Sequence, residues 1–218
     1  MSAGRSPWTW AAGAALLAFA ALAATVVLRE ATALDVALAS FVRLGASPAG
    51  DVLARTLTAA ASGPATLALS LAAAVAALAG GARRTAAVLV AGWAANALAV
   101  HLLKALFGRV RPVLAYTVAA LPTPSFPSGH AMNAVVVFGL LAAVASRRWP
   151  RARVALTALA LALALGAGAS RVYLGVHYPT DVLGGFAAGA AVLALVSAAL
   201  RAAEPPGALR PDRRARAR

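Results

Sequence analysis

Residue types that can bind and transform an anion fall between residues 104 and 181, in three short segments. The segments hold Lys104 with Arg111, Ser128 with Gly129 and His130, and Arg171 with His177 and Asp181. Lysine offers a compact point charge and arginine a planar fork of N–H donors, a combination that suits a tetrahedral anion such as phosphate. Phosphoryl transfer needs converging cations, because charge stays on the peripheral oxygens throughout the reaction. The three cations are therefore predicted phosphate ligands.

Ser128 and Gly129 stand directly before an apolar stretch, where a helix N-terminus is expected. Helix N-termini bind anions through unpaired N–H groups and the helix dipole, and a glycine lets its backbone approach an oxygen closely. We therefore predict that the Ser128 hydroxyl and the Gly129 amide bind phosphate. Taken alone, these two residues would suggest no more than a capped helix start. The other two segments favour phosphate binding.

The third segment predicts a paired histidine and carboxylate. Pro179 and Thr180 indicate that a helix starts just after His177, with Thr180 as its capping residue. Asp181 would then lie in the first turn, where its carboxylate can fold back on the imidazole. Such an acid fixes the tautomer of the histidine and stabilises its protonated form.

Two histidines and an aspartate could instead form a zinc or iron site. Three cations directed at the same place would repel a divalent ion and would already supply its charge compensation. We therefore expect neither a metal nor another cofactor. The chain has no cysteine, which excludes disulfides, thiolate nucleophiles and cysteine-ligated metal clusters.

The composition indicates what must hold these segments together. The chain has 218 residues, of which 62% are hydrophobic and 12% charged, and its mean hydropathy is +0.82. These values are typical of a membrane protein and not of a soluble domain. The net charge of +14 is compatible with a nucleic-acid partner, but the basic residues punctuate apolar stretches and form no basic face with interleaved aromatics. The predicted partners are the bilayer and a lipid, with no nucleic acid.

Six apolar stretches are long enough to cross a bilayer and predict an all-α, six-transmembrane-helix bundle. They are residues 9–28, 62–80, 85–106, 131–146, 152–169 and 182–200. The second stretch is interrupted by Ser62-Gly63-Pro64, so that its helix could begin earlier, near Asp51. Residues 33–44 suit a short interfacial helix or, equally, a partly ordered loop.

Three interpretations concern residues around the predicted site. Glycines on the last helix, 184, 185 and 189, are expected to permit close helix packing. His101 lies one turn before Lys104 and is expected to be packed and hydrogen-bonded inside the bundle, with a role in tuning the lysine as the alternative. Arg109 is expected to contact a lipid headgroup or a loop.

The distribution of charge predicts an orientation, because cytoplasmic loops collect lysine and arginine. With the N-terminus inside, that side receives most of the 20 basic residues. Both termini are then cytoplasmic and the three segments lie in extracytoplasmic loops and at helix ends of a plasma-membrane protein. Residues 1–203 form the membrane-embedded domain, and 204–218 form a basic, disordered cytoplasmic tail.

The three segments together form a family signature. Lys104 to Pro112 reads K-x6-RP, 127–130 reads PSGH, and Ser170 to Asp181 reads SR-x5-H-x3-D. In this the chain resembles the type 2 phosphatidic acid phosphatase superfamily, over about residues 60–200. Three motifs in order on matching membrane boundaries are a far more specific signal than any one of them.

This resemblance implies a role for each acid–base residue. His177 matches the nucleophile, Asp181 its orienting acid, and His130 the general acid that protonates the leaving oxygen. His130 would later help water to attack a phosphohistidine.

The resemblance also implies a function, the hydrolysis of a lipid phosphate monoester or diphosphate. Candidate substrates are phosphatidic acid, phosphatidylglycerol phosphate and a polyprenyl diphosphate. Two alternatives stay open at this point: a lipid phosphotransferase, and a catalytically silent scaffold or lipid transporter of the same fold. The sequence leaves open the lipid tail, the choice between mono- and diphosphate, and the oligomeric state.

Overall fold

The computed structural model describes residues 7–28, 33–112 and 122–202, and the regular structure in these ranges is entirely helical. The α-helices are α1 Pro7–Leu28, α2 Ala33–Leu44, α3 Pro48–Ala60, α4 Gly63–Ala79, α5 Arg83–Phe107, α6 Gly129–Asn133, α7 Gly139–Arg148, α8 Arg153–Tyr173 and α9 Pro179–Ala202. A π-helical turn, Ala134–Phe138, joins α6 to α7. The all-α prediction is confirmed, while the predicted tail, 204–218, lies outside the described residues.

Five continuous helical stretches of the described chain are long and apolar enough to cross a membrane: α1, α5, α6 through α7, α8 and α9. A sixth span results if α3 and α4 are counted as one, since the pair is bent by 54° at a short break. The break follows from local chemistry. The Ser62 side chain accepts from the N–H of Ala65 at 3.3 Å and so starts a new helix there. The predicted earlier start, near Asp51, corresponds to the separate helix α3.

Residues 33–44 form a helix, α2, so the loop interpretation is wrong. The apolar side chains Leu34 and Phe41 are 65% and 70% exposed, whereas Asp35 is only 2% exposed. The buried face of α2 therefore carries a carboxylate toward the bundle. Ionisable groups in a membrane protein usually face the protein interior or a functional cavity, because lipid offers no compensation for their charge.

The span from α6 to α7 lies at the centre of the bundle, and α9 packs closely against it. Met132 and Val136 of this span are fully buried. A β-carbon at Gly185 would lie 2.6 Å from the carbonyl oxygen of Ser128, and one at Gly189 would lie 3.2 Å from backbone atoms of Met132. The predicted role in helix packing is confirmed for Gly185 and Gly189, whereas Gly184 lies against the ring of Phe126 in the segment before α6.

Two asparagines hold the beginning of the central span in place. The Asn96 amide on α5 donates to the Asn133 side chain at 2.7 Å. The Asn133 amide in turn donates to the carbonyl of Ala61 at 3.2 Å, at the break between α3 and α4. Asn133 is the last residue of α6 before the π-helical turn. The beginning of the central span is thus held from two sides.

We expect Gly185→Ala to lower the midpoint of thermal unfolding of the protein in detergent. The added methyl would meet the Ser128 carbonyl at 2.6 Å, and overpacking of this kind costs about 1–3 kcal/mol. The matched control is Gly13→Ala on α1, where a β-carbon meets nothing within 4 Å. The control should leave the midpoint unchanged or raise it, and equal midpoints for the two variants would contradict the close approach of α9 to α6.

Candidate active site

The three sequence segments meet at one end of the bundle, joined by backbone hydrogen bonds. The N–H of Ser128 donates to the carbonyl of Asp181 at 2.9 Å, which ties the start of α6 to the first turn of α9. The N–H of Ser125 donates to the carbonyl of Arg109 at 2.7 Å, which ties the segment before α6 to the segment after α5. Motifs separated by many residues are thus held as one unit.

His177 is buried, with 1% of its surface exposed. Its Nδ1 lies 3.3 Å from the Asp181 carboxylate and 3.3 Å from the Ser125 hydroxyl. Its Nε2 lies 3.0 Å from a guanidinium nitrogen of Arg111. A guanidinium has no acceptor, so Nε2 carries the lone pair and Nδ1 carries the proton. The geometry therefore assigns the tautomer and directs the lone pair of Nε2 toward Arg111.

Burial lowers the pKa of His177 to about 4, although the carboxylate of Asp181 acts in the opposite direction. The loss of hydration is the larger effect because the imidazole is completely enclosed. Arg111 also disfavours the protonated form. His177 is therefore a neutral imidazole at pH 7.

Arg111 is oriented by backbone carbonyls around the site. It donates to the carbonyl of Thr123 at 2.8 Å and to that of Val176 at 2.6 Å. These bonds hold one edge of the guanidinium beside His177. Burial lowers the pKa of Arg111 from its ordinary value, yet a guanidinium stays charged at any physiological pH.

Lys104 and Arg171 approach from the two flanking spans. The ammonium of Lys104 donates to the carbonyl of Pro124. Arg171 donates to the Thr58 hydroxyl at 2.6 Å, and its Nε is buried without a hydrogen-bond partner in the described parts of the chain. Lys104 interacts electrostatically with both Arg111 and Arg171. Like charges gathered in this way repel one another, so a bound anion would relieve the repulsion and satisfy the remaining donors.

Ser128 is the N-cap of α6, as the sequence predicts. Its hydroxyl is buried, caps no backbone N–H and has no hydrogen-bond partner among the residues that the structure describes. A β-carbon on the neighbouring Gly129 would lie 3.9 Å from the Cε of Lys104. The start of α6 and the lysine side chain are thus adjacent, and an orphan buried hydroxyl stands between the two motifs.

His130 follows in the first turn of α6 and is within electrostatic range of the other charged groups. The charges that act on it belong to Arg171, His177, Arg111 and Lys104. The structure therefore brings together all eight residues predicted from the sequence. The predicted pairing of Asp181 with His177 is also present.

Asp181 has partners that the sequence did not predict. Its carboxylate accepts from the Ser125 hydroxyl, from Arg109 at 2.5 Å and from the N–H of Tyr178 at 2.9 Å. The last bond is typical of a capping box, and it places Tyr178, not Thr180, at the N-cap of α9. Thr180 instead donates its hydroxyl to Asp35 at 2.8 Å.

Two further sequence interpretations are wrong. Arg109 does not reach a headgroup, because its side chain is 2% exposed and lies between the carboxylates of Asp35 and Asp181. Near Arg109, the sequence shows only a second arginine, Arg111, in a chain with six acidic residues. This pattern is a weak signal that Arg109 would pair with buried carboxylates. His101 is exposed on α5 and not packed inside the bundle. In the described part of the chain, no three His, Asp or Glu side chains converge as metal ligands would.

A family comparison decides the affiliation of the chain. The model of the PAP2 superfamily matches residues 66–204, which include all three motifs. The chain belongs to the PAP2 superfamily.

Two curated members of the superfamily share part of this sequence. One is phosphatidylglycerophosphatase B of Bacillus subtilis strain 168, 39% identical over 97 residues, which are 43% of this chain and 47% of that protein. Another is decaprenylphosphoryl-5-phosphoribose phosphatase of Mycobacterium tuberculosis strain H37Rv, 39% identical over 114 residues, which are 50% and 58% of the two chains. The aligned region thus spans about half the length of each relative.

A solved structure extends the similarity to nearly the whole fold. The crystal structure of a transmembrane PAP2-type phosphatidylglycerolphosphate phosphatase from Bacillus subtilis superposes with a TM-score of 0.83 at 27% identity. The superposition covers 89% of this chain and 98% of that one. This PAP2 member is accordingly a membrane protein with several apolar helices.

We expect His177 to stay neutral in the folded protein down to pH 5. An ordinary histidine is half-protonated near pH 6.5, whereas burial moves this midpoint down to about 4. The measurement is an NMR pH titration of ¹⁵N-histidine-labelled protein in detergent, with the resonances of His177 assigned by their loss in His177→Gln. A midpoint above 6 would contradict the burial of this imidazole.

Proposed function

We propose that this chain hydrolyses a lipid phosphate monoester or diphosphate through a phosphohistidine on His177. The observation that carries the proposal is a buried neutral imidazole whose Nε2 points at Arg111, in a site that also holds Lys104 and Arg171. A nucleophilic nitrogen next to converging cations is an arrangement suited to phosphoryl transfer.

Phosphate binding would use the donors that have no other partner. Within the described residues, the Nε of Arg171 and the hydroxyl of Ser128 are both buried and unpaired. The Gly129 amide lies next to Ser128, at the N-terminus of the central span. Arg111 and Lys104 would supply the remaining charge. These fixed donors stabilise the three peripheral oxygens without reorganising during the reaction.

In the first step, Nε2 of His177 attacks phosphorus, and the bond from phosphorus to the lipid oxygen breaks. His130 gives its proton to that oxygen as it leaves. Asp181 keeps the Nδ1 proton in place and stabilises the positive charge that the imidazole acquires on forming the N–P bond. The intermediate is a phosphohistidine and a free lipid alcohol, or a lipid monophosphate if the substrate is a diphosphate.

In the second step, His130 accepts a proton from water, whose oxygen attacks phosphorus while the N–P bond breaks. Inorganic phosphate leaves, and both histidines return to their starting forms. No metal takes part in this scheme, because Lys104, Arg111 and Arg171 provide the compensating charge. An acceptor alcohol in place of water would make the same intermediate a phosphotransferase.

The names of the relatives support lipid substrates. One name refers to phosphatidylglycerophosphate and the other to a polyprenyl-linked phosphoribose; phosphatidic acid, phosphatidylglycerol phosphate and polyprenyl diphosphates share the required headgroup chemistry. The charge distribution supports a plasma-membrane location with cytoplasmic termini and an extracytoplasmic site. Residues 1–203 would be the catalytic membrane domain and 204–218 a basic tail.

The first test is phosphate release by protein purified in detergent, with a chelator present and phosphatidylglycerol phosphate, phosphatidic acid and a polyprenyl diphosphate offered separately. We expect wild-type activity to survive the chelator and His177→Ala to lose more than about 10³-fold in kcat, as for other nucleophile deletions. The protein should also acquire an acid-labile, alkali-stable phosphate from labelled substrate.

The matched control for this variant is His101→Ala. His101 is one of three histidines in the chain and is exposed on α5. We expect this variant to keep wild-type activity. Metal-dependent activity, or equal activity in His177→Ala and wild type, would refute the mechanism.

A second test uses Ser128→Ala. The hydroxyl has no hydrogen-bond partner within residues 7–28, 33–112 and 122–202, so its removal should leave the unfolding midpoint unchanged or slightly higher. Loss of one hydrogen bond to a charged phosphate should reduce kcat/KM by roughly 10- to 150-fold, which corresponds to about 1.5–3 kcal/mol. A fall in stability without a fall in kcat/KM would assign this hydroxyl a structural role instead.

A further inference from the structure

A buried ion network lies on the side of Asp181 that faces away from the proposed phosphate. Arg109 donates to Asp181 at 2.5 Å and to Asp35 at 3.0 Å. The side chains of the three residues are between 0% and 2% exposed. Neither Arg109 nor Asp35 contributes to the proposed chemistry. The burial of these three charges nevertheless costs desolvation free energy, so we expect the network to have a role.

Asp35 also holds the segment that carries His177 and Asp181. One of its carboxylate oxygens accepts from the N–H of Thr180 at 3.0 Å, and the other accepts from the Thr180 hydroxyl at 2.8 Å. Thr180 belongs to the first turn of α9. An acidic group at this position satisfies a free N–H of the helix and interacts favourably with the helix dipole.

The buried charge of Arg109 explains why a second carboxylate, that of Asp35, is required in addition to Asp181. Arg109 is buried, and with Asp181 as its only counterion it would draw the Asp181 charge away from the imidazole. Asp35 supplies a second negative charge to the same guanidinium. Asp181 can then direct its other oxygen, Oδ2, toward Nδ1 of His177 and stabilise the imidazolium that forms during attack.

We propose that Asp35, on the helix α2, is a positioning residue for His177. It acts through Arg109 and through the first turn of α9, and it sets the orientation and the available charge of the Asp181 carboxylate. Asp35 precedes the three sequence motifs and is 146 positions away from Asp181. This assignment gives α2 a part in the reaction, and its kinetic consequences rest on the phosphatase function proposed above.

The decisive variant is Asp35→Asn, which keeps the shape of the side chain and removes its charge. We expect kcat to fall by roughly 10- to 100-fold, the range seen when an outer hydrogen-bond partner of a catalytic group is lost. KM should stay within about twofold, because the hydrogen bonds that link Asp35 to Arg109 and Thr180 do not involve a proposed phosphate ligand. A defect confined to packing would lower the amount of folded enzyme but would not produce this pattern per folded molecule.

Asp51→Asn is the matched control. Asp51 lies on α3 and pairs with Arg43 of α2 at 2.8 Å. The side chain of Asp51 is 39% exposed. The same substitution there removes a surface ion pair that solvent screens, and it should leave kcat unchanged. If Asp35→Asn fails to fold, Thr180→Val removes the hydroxyl between Asp35 and Arg109 with both charges kept, and a smaller fall in kcat at constant KM is expected.

The ¹⁵N spectrum of histidine-labelled protein gives a readout that does not depend on substrate. Asp35→Asn should shift the Nδ1 resonance of His177, and Asp51→Asn should not. Unchanged kcat in folded Asp35→Asn, or an unshifted resonance, would overturn the proposal. If wild type and Asp51→Asn both release no phosphate, the proposed function fails, and the resonance shift alone decides the role of Asp35.

Discussion

The architecture depends on one buried carboxylate, that of Asp181, which interacts with both His177 and Arg109. Asp181 is fully enclosed and meets the imidazole of His177 with one oxygen and the guanidinium of Arg109 with the other. A charge in a region of low polarity must be compensated, and the compensating groups must come from the protein because lipid has none to offer. This requirement joins α2, the segment after α5 and the start of α9 around a single side chain.

Close packing of two helices gives the same region its rigidity. Gly185 on α9 lies against the Ser128 carbonyl, and the Ser128 N–H bonds to the carbonyl of Asp181. The residue that starts the central span therefore cannot move independently of the residue that orients His177. Such a coupling suits a site in which donors must already be in place when charge develops on a phosphoryl group.

Much of the site was predictable because its residue types and local neighbours carry the signal. Ser128 lies at the predicted helix start, and Asp181 folds back on His177 as its place in a first helical turn suggests. The errors concern neighbours that are distant in sequence. Arg109 was assigned to the surface, since nothing near it in the chain shows that Asp35, 74 residues earlier, would pair with it. His101 was assigned to the interior, since apolar periodicity is weak on a helix that is apolar nearly all round.

The sequence by itself determined the helical membrane architecture and the residues of the three motifs, because long apolar stretches, helix caps and the pairing of His177 with Asp181 are local properties. Only the tertiary structure decided which groups stand behind those residues. Ser125 and Arg109 reach Asp181 through contacts between distant segments, and Thr58 on α3 orients Arg171 across 113 residues. Such partners are set by how helices rotate and pack against one another, and the spacing of residues along the chain does not encode that geometry.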